Sequence, residues 1–412
     1  MRTITTLTAA AMALALAAPV DAKTIAVTAG DDAQTRLQEA LILAEPGDVV
    51  ELGAGRFVLT DGLSLDVQGV TVRGQGMDAA VLDFSGQKGA GEGLLVTSDE
   101  VTLRDFAVEN TKGDGIKSKG ADNIVYYRVR VTWTGGPKES NGAYGIYPVS
   151  STGVLVDGCK VSGASDAGIY VGQSKAITVR YNFVESNVAG IEIENSRDAL
   201  VTGNLVTRNT GGILVFDLPG LPVMGGGNVL ISDNLVVGND TPNFAPKGNI
   251  VAGVRRGTGI MVMANEKVTI SENRIDGNPT AAVMVVSYPN SFQDTRYNPS
   301  PRDILLGRNI FGRNGNAPQI DGADVLLAAF GGNLPPIMWD GLGDAPRVMD
   351  AGNADGWTLN LPRQGAAFSQ AKPAPLRLKL STAKIVPVMP QKSAASLPKP
   401  GAPAALDNRA QP

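Results

Sequence analysis

The chain has 412 residues with 36 basic and 40 acidic side chains, so its formal net charge is −4. This balance argues against a nucleic-acid partner, whose binding surface is usually basic. The sequence contains no histidine and a single cysteine, Cys159. This composition excludes histidine-based catalysis, histidine-ligated zinc and an internal disulfide bond.

The N-terminus, residues 1–22, has the pattern of a secretory signal peptide. Arg2 precedes an apolar run from Leu7 to Val20, and small residues favour cleavage after Ala22. The apolar run is too short to span a membrane, and no later stretch reaches the ~18 apolar residues that a span requires. The sequence therefore predicts an exported protein, periplasmic or secreted, without a membrane span.

An amphipathic pattern at residues 34–44 predicts one helix near the start of the mature chain. Leu37 and Leu41 lie on its apolar face, and the Pro-Gly-Asp turn at 46–48 ends it. Short strands follow directly. Because a stack of repeats has an open apolar end, we expect this helix to cap it.

The middle of the chain consists of a repeated unit with a base period of 22–23 residues. Each unit has two short apolar strands separated by a turn, and one position in this turn is usually polar. That position is occupied by Phe106, Arg128, Cys159, Asn182, Asn204, Asn234, Asn273 and Asn309. Stacked repeats bring equivalent residues ~4.8 Å apart, so the asparagines can hydrogen-bond along a column. We interpret the asparagines as structural and Cys159 as a buried structural thiol.

A second signature, G-I-x-V, occurs once in each repeat. Its copies begin at Gly115, Gly145, Gly168, Gly190, Gly212, Gly259 and, in altered form, Ala282. Alternation along a strand places the isoleucine inward and the next residue outward. Three short strands per repeat predict an all-β fold, a right-handed parallel β-helix with an N-terminal capping helix.

The composition along the chain divides it into four predicted segments. Residues 1–22 are the signal peptide, and residues 23–330 are the β-helix domain with its N-terminal cap. Residues 331–370 form an irregular C-terminal cap, because the repeat fades there. Residues 371–412, rich in Pro, Ala and Lys, form a disordered tail.

The segment PGDVVELGAGRF, the repeat period, the asparagine column and the G-I-x-V strands together resemble the pectate-lyase-like superfamily of right-handed β-helix repeat proteins. The resemblance covers roughly residues 25–330. It implies that a polysaccharide lies on the G-I-x-V strands between flanking loops. Insertions fall at those places: 132–143, 217–227, 238–257 and 287–302. The superfamily contains lyases, hydrolases, epimerases and members without known catalysis, so it does not fix the activity.

One stretch, NGAYGIYPVSS at 141–151, resembles the alginate C5-epimerases. The matching residues are Tyr144, Gly145, Ile146 and Pro148. Tyr147, Val149 and Ser150 stand where that family has the first Asp, the His and the second Asp of its Asp-Pro-His-Asp motif. The catalytic residues of that family are therefore not carried over to this chain.

Two outward columns on the G-I-x-V strands divide this face into two halves. The first column reads Lys117, Tyr147, Tyr170, Glu192, Leu214, Met261 and Met284. The second column reads Lys119, Val149, Gly172, Glu194, Phe216, Met263 and Val286. The polar N-terminal half is open to three interpretations: a solvated sheet face, a sugar-binding site or a catalytic site. The apolar C-terminal half is either buried by loops or contacts a partner or an acyl-bearing ligand.

For a catalytic site, the candidates are Tyr147, Tyr170 and Glu192, with a tyrosine as base where nearby cations lower its pKa. The candidates for neutralising a uronate carboxylate are Lys117, Lys119, Arg255 and Arg256. Glu194 is a candidate substrate-binding residue. Together with Glu192 it could instead hold Ca²⁺, which prefers oxygen ligands; no other cofactor is indicated.

We therefore predict an exported protein that binds an acidic or neutral polysaccharide along the G-I-x-V strands, with lyase-like or epimerase-like processing left open. The spacing of Glu192 and Glu194 along their strand, ~6.7 Å, does not exclude glycoside hydrolysis. The resemblance makes hydrolysis less favoured, because β-helix hydrolases use several aspartates and this face offers none before Asp217. The alternative is a non-catalytic envelope scaffold that binds a protein partner through apolar loops. Exposure of Leu214, Phe216, Met261 and Met263 would favour the scaffold.

Overall fold

The structure, a computed structural model, describes residues 22–390. Parallel strands form three long sheets of 13, 10 and 12 strands, which we call sheet 1, sheet 2 and sheet 3 in the order in which each coil visits them. The chain steps from one sheet to the next and pairs each strand with its counterpart one coil away. The predicted right-handed parallel β-helix is confirmed.

Sheet 1 contains the first strand of each coil. Its strands are Thr24–Val27, Val49–Leu52, Thr71–Arg73, Thr102–Arg104, Ile124–Tyr127, Thr152–Asp157, Lys175–Arg180, Arg197–Thr202, Gly227–Ser232, Val268–Ser271, Leu305–Leu306, Arg347–Val348 and Lys379–Leu380. Sheet 2 follows after a sharp turn. Its strands are Gly55–Val58, Ala80–Asp83, Ala107–Glu109, Arg130–Thr132, Lys160–Ser162, Phe183–Glu185, Leu205–Thr207, Leu235–Val237, Arg274–Asp276 and Ile310–Phe311.

Sheet 3 carries the G-I-x-V strands. Its strands are Leu63–Leu65, Leu94–Val96, Ile116–Lys119, Tyr144–Val149, Ala167–Gly172, Ala189–Glu194, Gly211–Phe216, Thr258–Met263, Ala281–Val286, Ile337–Trp339, Asp355–Thr358 and Ala374–Arg377. Its final pair, Asp355–Thr358 with Ala374–Arg377, is antiparallel. The predicted insertions beside these strands are present as loops in the chain order that the spacing indicated.

A helix at Ala33–Leu43 lies at the N-terminal end, one residue earlier than the predicted range 34–44. It buries Leu37 and Leu41 against the first coil. The remaining helical segments are short: Ile250–Gly253, Ala323–Ala329, Ala351–Asn353 and Phe368–Gln370. Within residues 22–390, no helix is both long and apolar enough to cross a membrane.

An inward column of branched apolar side chains fills the interior beside sheet 3. It reads Ile116, Ile146, Ile169, Ile191, Ile213, Ile260, Val283 and Ile337, all buried and in register. Burying each such side chain contributes about 1.5–3 kcal/mol. The G-I-x-V signature therefore exists for packing, and the outward residues between its members are free for other roles.

The asparagine column forms a hydrogen-bonded ladder at the turn between sheets 1 and 2. Each side-chain amide, from Asn182 to Asn273, donates to the next Oδ1 at 2.9–3.0 Å. Cys159 is confirmed as a buried thiol of this column, and its backbone N–H donates to Asn182. Arg128 was placed wrongly: because Tyr127 pairs with Asp157, the column position is the buried Val129.

A second asparagine ladder, which was not predicted from the sequence, lies at the turn between sheets 2 and 3. It consists of Asn187, Asn209, Asn239, Asn278 and Asn314, with amide-to-Oδ1 distances of 3.0–3.1 Å. Each member follows a first-ladder asparagine by five residues. These two ladders hold both ends of the short sheet 2 strands in register.

The ends of the chain depart from simple repetition. The sheets continue past residue 330, the predicted end of the β-helix domain, through strands such as Ile337–Trp339 and Arg347–Val348. Two further strands lie within the predicted tail, at Ala374–Arg377 and Lys379–Leu380. Residues 391–412 of that tail and residues 1–21 of the predicted signal peptide lie outside the described residues.

Candidate functional site

The outward columns of sheet 3 have the register that the sequence indicated. Lys117 pairs with Tyr147, Tyr170 with Glu192, and Glu192 with Leu214. In the neighbouring column Gly172 pairs with Glu194. Adjacent strands lie about 4.8 Å apart, so these side chains meet across the sheet.

Three tyrosine rings pack against one another on the polar half. The ring centroids of Tyr144, Tyr147 and Tyr170 are 4.5–4.8 Å apart in all three pairings. Tyr170 is buried, whereas Tyr144 and Tyr147 are partly exposed. Such tilted and edge-to-face contacts stabilise aromatic pairs beyond their buried area, so the rings form one packed unit.

The ring of Tyr170 lies across Gly172, two residues further along its own strand. A Cβ atom at position 172 would stand 2.1 Å from the Tyr170 hydroxyl oxygen and 2.4 Å from ring atom Cε1. The missing side chain therefore lets the phenol reach the next strand, where its hydroxyl hydrogen-bonds Glu194. Gly172 therefore allows Tyr170 to take the position that it has in the site.

Three carboxyl groups lie beneath and beside these rings. Glu192 is 1 % exposed, and Asp166 and Glu194 are each 7 % exposed. Tyr144 hydrogen-bonds Asp166, whereas Asp166 Oδ1 and Glu192 Oε1 have no hydrogen-bond partner. We call these three carboxyl groups with Tyr144, Tyr147 and Tyr170 the tyrosine–carboxylate cluster. Its three carboxyl groups and Tyr170 are buried, so the polar half is not an ordinary solvated sheet face.

Burial dominates the electrostatics of the three carboxyl groups. Burial and the charge of Glu194 raise the pKa of Asp166 to about 7. Burial also raises the pKa of Glu194 to about 7, although the Tyr170 hydroxyl opposes it. Glu192, buried and next to both, has its pKa raised well above the ordinary value. Protons near neutral pH are therefore shared among closely spaced acids.

The tyrosines do not meet the condition for acting as bases. Burial raises the pKa of Tyr170 far above its ordinary value, and Glu194 raises it further. Burial also raises the pKa of Tyr147, and the charge of Lys117 opposes this only in part. Both phenols are therefore neutral hydrogen-bond donors at physiological pH, and their predicted catalytic roles remain predictions.

Lys117 is already neutralised by acidic neighbours. Its Nζ lies 2.9 Å from Glu92 Oε1 and 3.6 Å from Asp114 Oδ2, and 4.9 Å from the ring centroid of Tyr147. Burial alone would lower the pKa of Lys117, but the two carboxylates outweigh burial and raise it. Lys119, one outward position further, is exposed. The face thus offers two ammonium groups to a ligand: Lys117, which is paired, and Lys119, which forms no ion pair with any residue in 22–390.

Arg255 and Arg256 lie away from the polar half. They precede Thr258–Met263, three strands from the strand of Tyr170, which corresponds to about 14 Å along the sheet. Arg256 pairs with Asp240 at 2.8 Å and its backbone N–H donates to Gln319. The structure therefore does not bring the arginines together with Lys117 and Lys119.

The apolar half of sheet 3 is covered by loops. Leu214, Phe216 and Met263 are buried, and Met261 is partly exposed. They pack with aromatic residues of the loop at 287–304, including Tyr288 and Tyr297. Loop 217–226 is held by Asp217, which accepts hydrogen bonds from the Gly226 N–H and the Asn265 amide, each at 2.8 Å. The interpretation of burial by loops is confirmed for Leu214, Phe216 and Met263.

The carboxylates do not form a recognisable metal site. Within residues 22–390, no group of three or more Cys, Asp or Glu side chains is placed to hold a metal ion. The Ca²⁺ hypothesis for Glu192 and Glu194 therefore gains no geometric support.

Comparison with known proteins agrees with the architecture. Residues 68–218 and 141–295 match the family described as "Right handed beta helix region", and together they span more than half of the chain. The chain belongs to this family. No curated protein matches it significantly in sequence.

Several solved structures share the β-helix at low sequence identity. The A-module of the Azotobacter vinelandii mannuronan C-5 epimerase AlgE6 is 17% identical, with a TM-score of 0.51 over 77% of this chain and 89% of that one. The polygalacturonase of Erwinia carotovora ssp. carotovora is 14% identical, with a TM-score of 0.52 over 77% and 90%. The A-module of AlgE4 from A. vinelandii is 15% identical, with a TM-score of 0.50 over 79% and 92%. At such identities the likeness establishes the fold.

Two members of the tyrosine–carboxylate cluster, Asp166 and Tyr144, were not predicted as site residues from the sequence. Asp166 belongs to the turn before its strand, outside the alternating pattern used to assign outward positions. Tyr144 was noticed only as a match to another family. The available signal was position: each immediately precedes or begins a sheet 3 strand in the coils that carry Tyr147 and Tyr170.

The packing of the Tyr170 ring against Gly172 predicts the effect of a side chain at position 172. We expect Gly172→Ala to displace Tyr170 and to lower the free energy of unfolding by about 1–3 kcal/mol, because the packed rings leave no alternative position. Urea unfolding measures this. Gly253→Ala is the control, because a Cβ atom there meets nothing within 4 Å. Combining Gly172→Ala with Tyr170→Ala should destabilise less than the sum of the single changes; strict additivity would contradict the contact.

Proposed function

We propose that this protein is exported and binds a polysaccharide along the polar half of sheet 3, from the strand of Lys117 to the strand of Tyr170. The supporting observation is the partly exposed Tyr147, which lies in an outward column between Lys117 and the buried Tyr170. A tyrosine presents a flat apolar face to a sugar ring and a hydroxyl group to its substituents. The signal-peptide pattern at 1–22 supports a periplasmic or secreted location.

The names of structurally similar proteins are consistent with this class of ligand. They include a mannuronan C-5 epimerase and a polygalacturonase. The similarity to these proteins concerns the fold alone. The proposal of a polysaccharide ligand for this chain therefore depends on the surface residues of sheet 3. A loop at 133–143 precedes the strand of Tyr147 in the chain.

Proton transfer is a further part of the proposal. A general base or acid works best with a pKa near the operating pH, and Glu194 and Asp166 have pKa values of about 7. We therefore assign any proton transfer to these carboxyl groups, with Tyr170 as the donor that orients Glu194. This assignment moves the base from Tyr147 or Tyr170 to the carboxylates.

The envelope-scaffold alternative loses its main support. It requires an exposed apolar face, but Leu214, Phe216 and Met263 are covered by loops of the same chain. A protein partner that contacts those side chains would first have to displace the loops. The polar half remains the better candidate for a ligand.

The test is retention of the purified mature protein on immobilised polysaccharides, including alginate, pectate, chitosan and neutral glucans. Reducing ends, unsaturated-uronate absorbance and C5 configuration would be measured in the same samples. We expect retention on at least one polymer, weakened about tenfold by Tyr147→Ala because stacking on the ring is lost.

The matched control is Tyr181→Ala, which removes an exposed tyrosine from the turn before sheet 2. It should leave retention unchanged. Retention that Tyr147→Ala and Tyr181→Ala affect equally, or no retention on any polymer, would overturn the proposal. Product formation that disappears in Glu194→Gln would extend it from binding to catalysis.

A further inference from the structure

The charge of the tyrosine–carboxylate cluster indicates which sugars it accepts. Three carboxyl groups, Asp166, Glu192 and Glu194, meet in one buried place, and none of them pairs with a lysine or arginine of the described chain. Lys117, an ammonium group on the same face, is held by Glu92 and Asp114. The cluster therefore contains three acidic groups without a cationic partner among the described residues.

Two oxygen atoms in the cluster have no hydrogen-bond partner. Asp166 Oδ1 and Glu192 Oε1 are fully buried and accept no hydrogen bond. Leaving a buried acceptor unpaired is unfavourable, and native structures rarely do so without a reason. A ligand with a hydrogen-bond donor could satisfy these two oxygen atoms. A positively charged donor would also balance the charge of the surrounding carboxylates.

The tyrosine rings favour the same kind of donor. Ammonium groups are attracted to the faces of aromatic rings, as Lys117 already is to the ring of Tyr147. Tyr144 and Tyr147 are partly exposed, and Tyr144 hydrogen-bonds Asp166. Because the unpaired oxygens are buried, ligand binding requires the ring of Tyr144 to move away from Asp166.

We propose that the cluster binds the ammonium group of an amine-bearing sugar, so that the polysaccharide ligand contains unacetylated amino sugars. This inference rests on the proposed polysaccharide function and names its substrate class. An incoming ammonium group donates to Asp166 and Glu192 and displaces the protons that these acids share. A uronate carboxylate at the same place would find no cationic partner among the described residues.

The experiment compares oligosaccharides of equal length by calorimetric titration. The probes are fully deacetylated chitosan hexamer, its fully N-acetylated counterpart, cellohexaose and oligoguluronate, at pH 6 and moderate salt. We expect the deacetylated hexamer to bind at least about tenfold more tightly than the acetylated one, because a charge-assisted hydrogen bond is lost on acetylation.

The variant Asp166→Asn/Glu192→Gln, which changes the two groups with unpaired oxygens, should remove this preference. The control Glu185→Gln, which alters a carboxylate paired with Arg208 on sheet 2, should keep it. Circular dichroism and thermal unfolding establish that each variant is folded before titration.

The outcomes separate this inference from the proposed function. Tight binding of cellohexaose, oligoguluronate or the acetylated hexamer without an advantage for the amine would overturn the inference while leaving polysaccharide binding intact. An amine preference that survives in Asp166→Asn/Glu192→Gln would also overturn it, since the ammonium group would then be bound elsewhere. Absence of binding to every probe would overturn both.

Discussion

Asn204→Ala is expected to lower the free energy of unfolding by about 3–5 kcal/mol, because it breaks the first asparagine ladder at its centre. Asn204 Oδ1 accepts hydrogen bonds from the backbone N–H and the amide of Asn182, at 3.0 and 2.9 Å. Its own amide donates to Val179 and Asn234. Truncation leaves buried donors and acceptors without partners and creates a cavity that water cannot readily fill.

The matched control is Asn309→Ala at the C-terminal end of the same ladder. Asn309 also accepts from its neighbour, but it is partly exposed, so water can replace the lost hydrogen bonds. We expect a loss of about 1 kcal/mol there. Urea unfolding followed by far-ultraviolet circular dichroism measures both. Equal losses for the two variants would show that the ladder gains nothing from burial.

The repeat pattern explains why so much of this fold could be read from the sequence. Equivalent residues of successive coils pair in register, so both outward columns of sheet 3 follow once the strands are aligned. The pairings of Lys117 with Tyr147 and of Tyr170 with Glu192 were predicted in this way and are confirmed. Arg128 was misplaced by one residue, because its coil has a valine where later coils have asparagine.

The environment of the site could not be read in the same way. Burial of Glu192 and Leu214 depends on the paths of loops, and loops have no period. The reach of Tyr170 to Glu194 depends on an empty volume at Gly172, which a pattern of apolar and polar letters does not record. The register of Lys117, Tyr147, Tyr170, Glu192 and Glu194 was therefore predicted correctly, whereas their protonation and accessibility required coordinates.

The buried carboxyl groups should make the protein less stable as the pH rises from about 5 to 8. In the folded state the pKa values of Asp166 and Glu194 are about 7, against 3.8 and 4.5 for the unperturbed groups. Between these values the folded state binds more protons than the unfolded state. The free energy of unfolding is thus largest below the unfolded pKa and falls until the pH passes the folded pKa.

The size of the effect follows from the shifts. One pKa unit corresponds to 1.36 kcal/mol, so Glu194 alone would contribute roughly 3 kcal/mol if it titrated independently. The neighbouring acids share protons, so the combined change is smaller than the sum of separate values. Asp114 and Asp217, with burial raising the pKa of each to about 6, change stability in the same direction. We expect a total loss of a few kcal/mol between pH 5 and pH 8.

The variant Glu192→Gln/Glu194→Gln isolates the cluster. It keeps the shape of both side chains and removes their charge, so it should be more stable than the natural protein at pH 8 and should lose the part of the pH dependence that Glu192 and Glu194 contribute. Urea unfolding at pH 5, 6, 7 and 8 measures this. Glu185→Gln, a surface carboxylate on sheet 2, should retain the natural slope.

The composition makes this test unusually direct. The sequence has no histidine, so no imidazole titrates between pH 5 and 8. Burial raises the pKa of Cys159 to about 12, which removes the one thiol from this range. A pH-dependent loss of stability must therefore come chiefly from carboxyl groups with raised pKa values. A flat profile, or one that Glu192→Gln/Glu194→Gln leaves unchanged, would mean that these carboxyl groups are solvated and would remove the basis for a cation-seeking site.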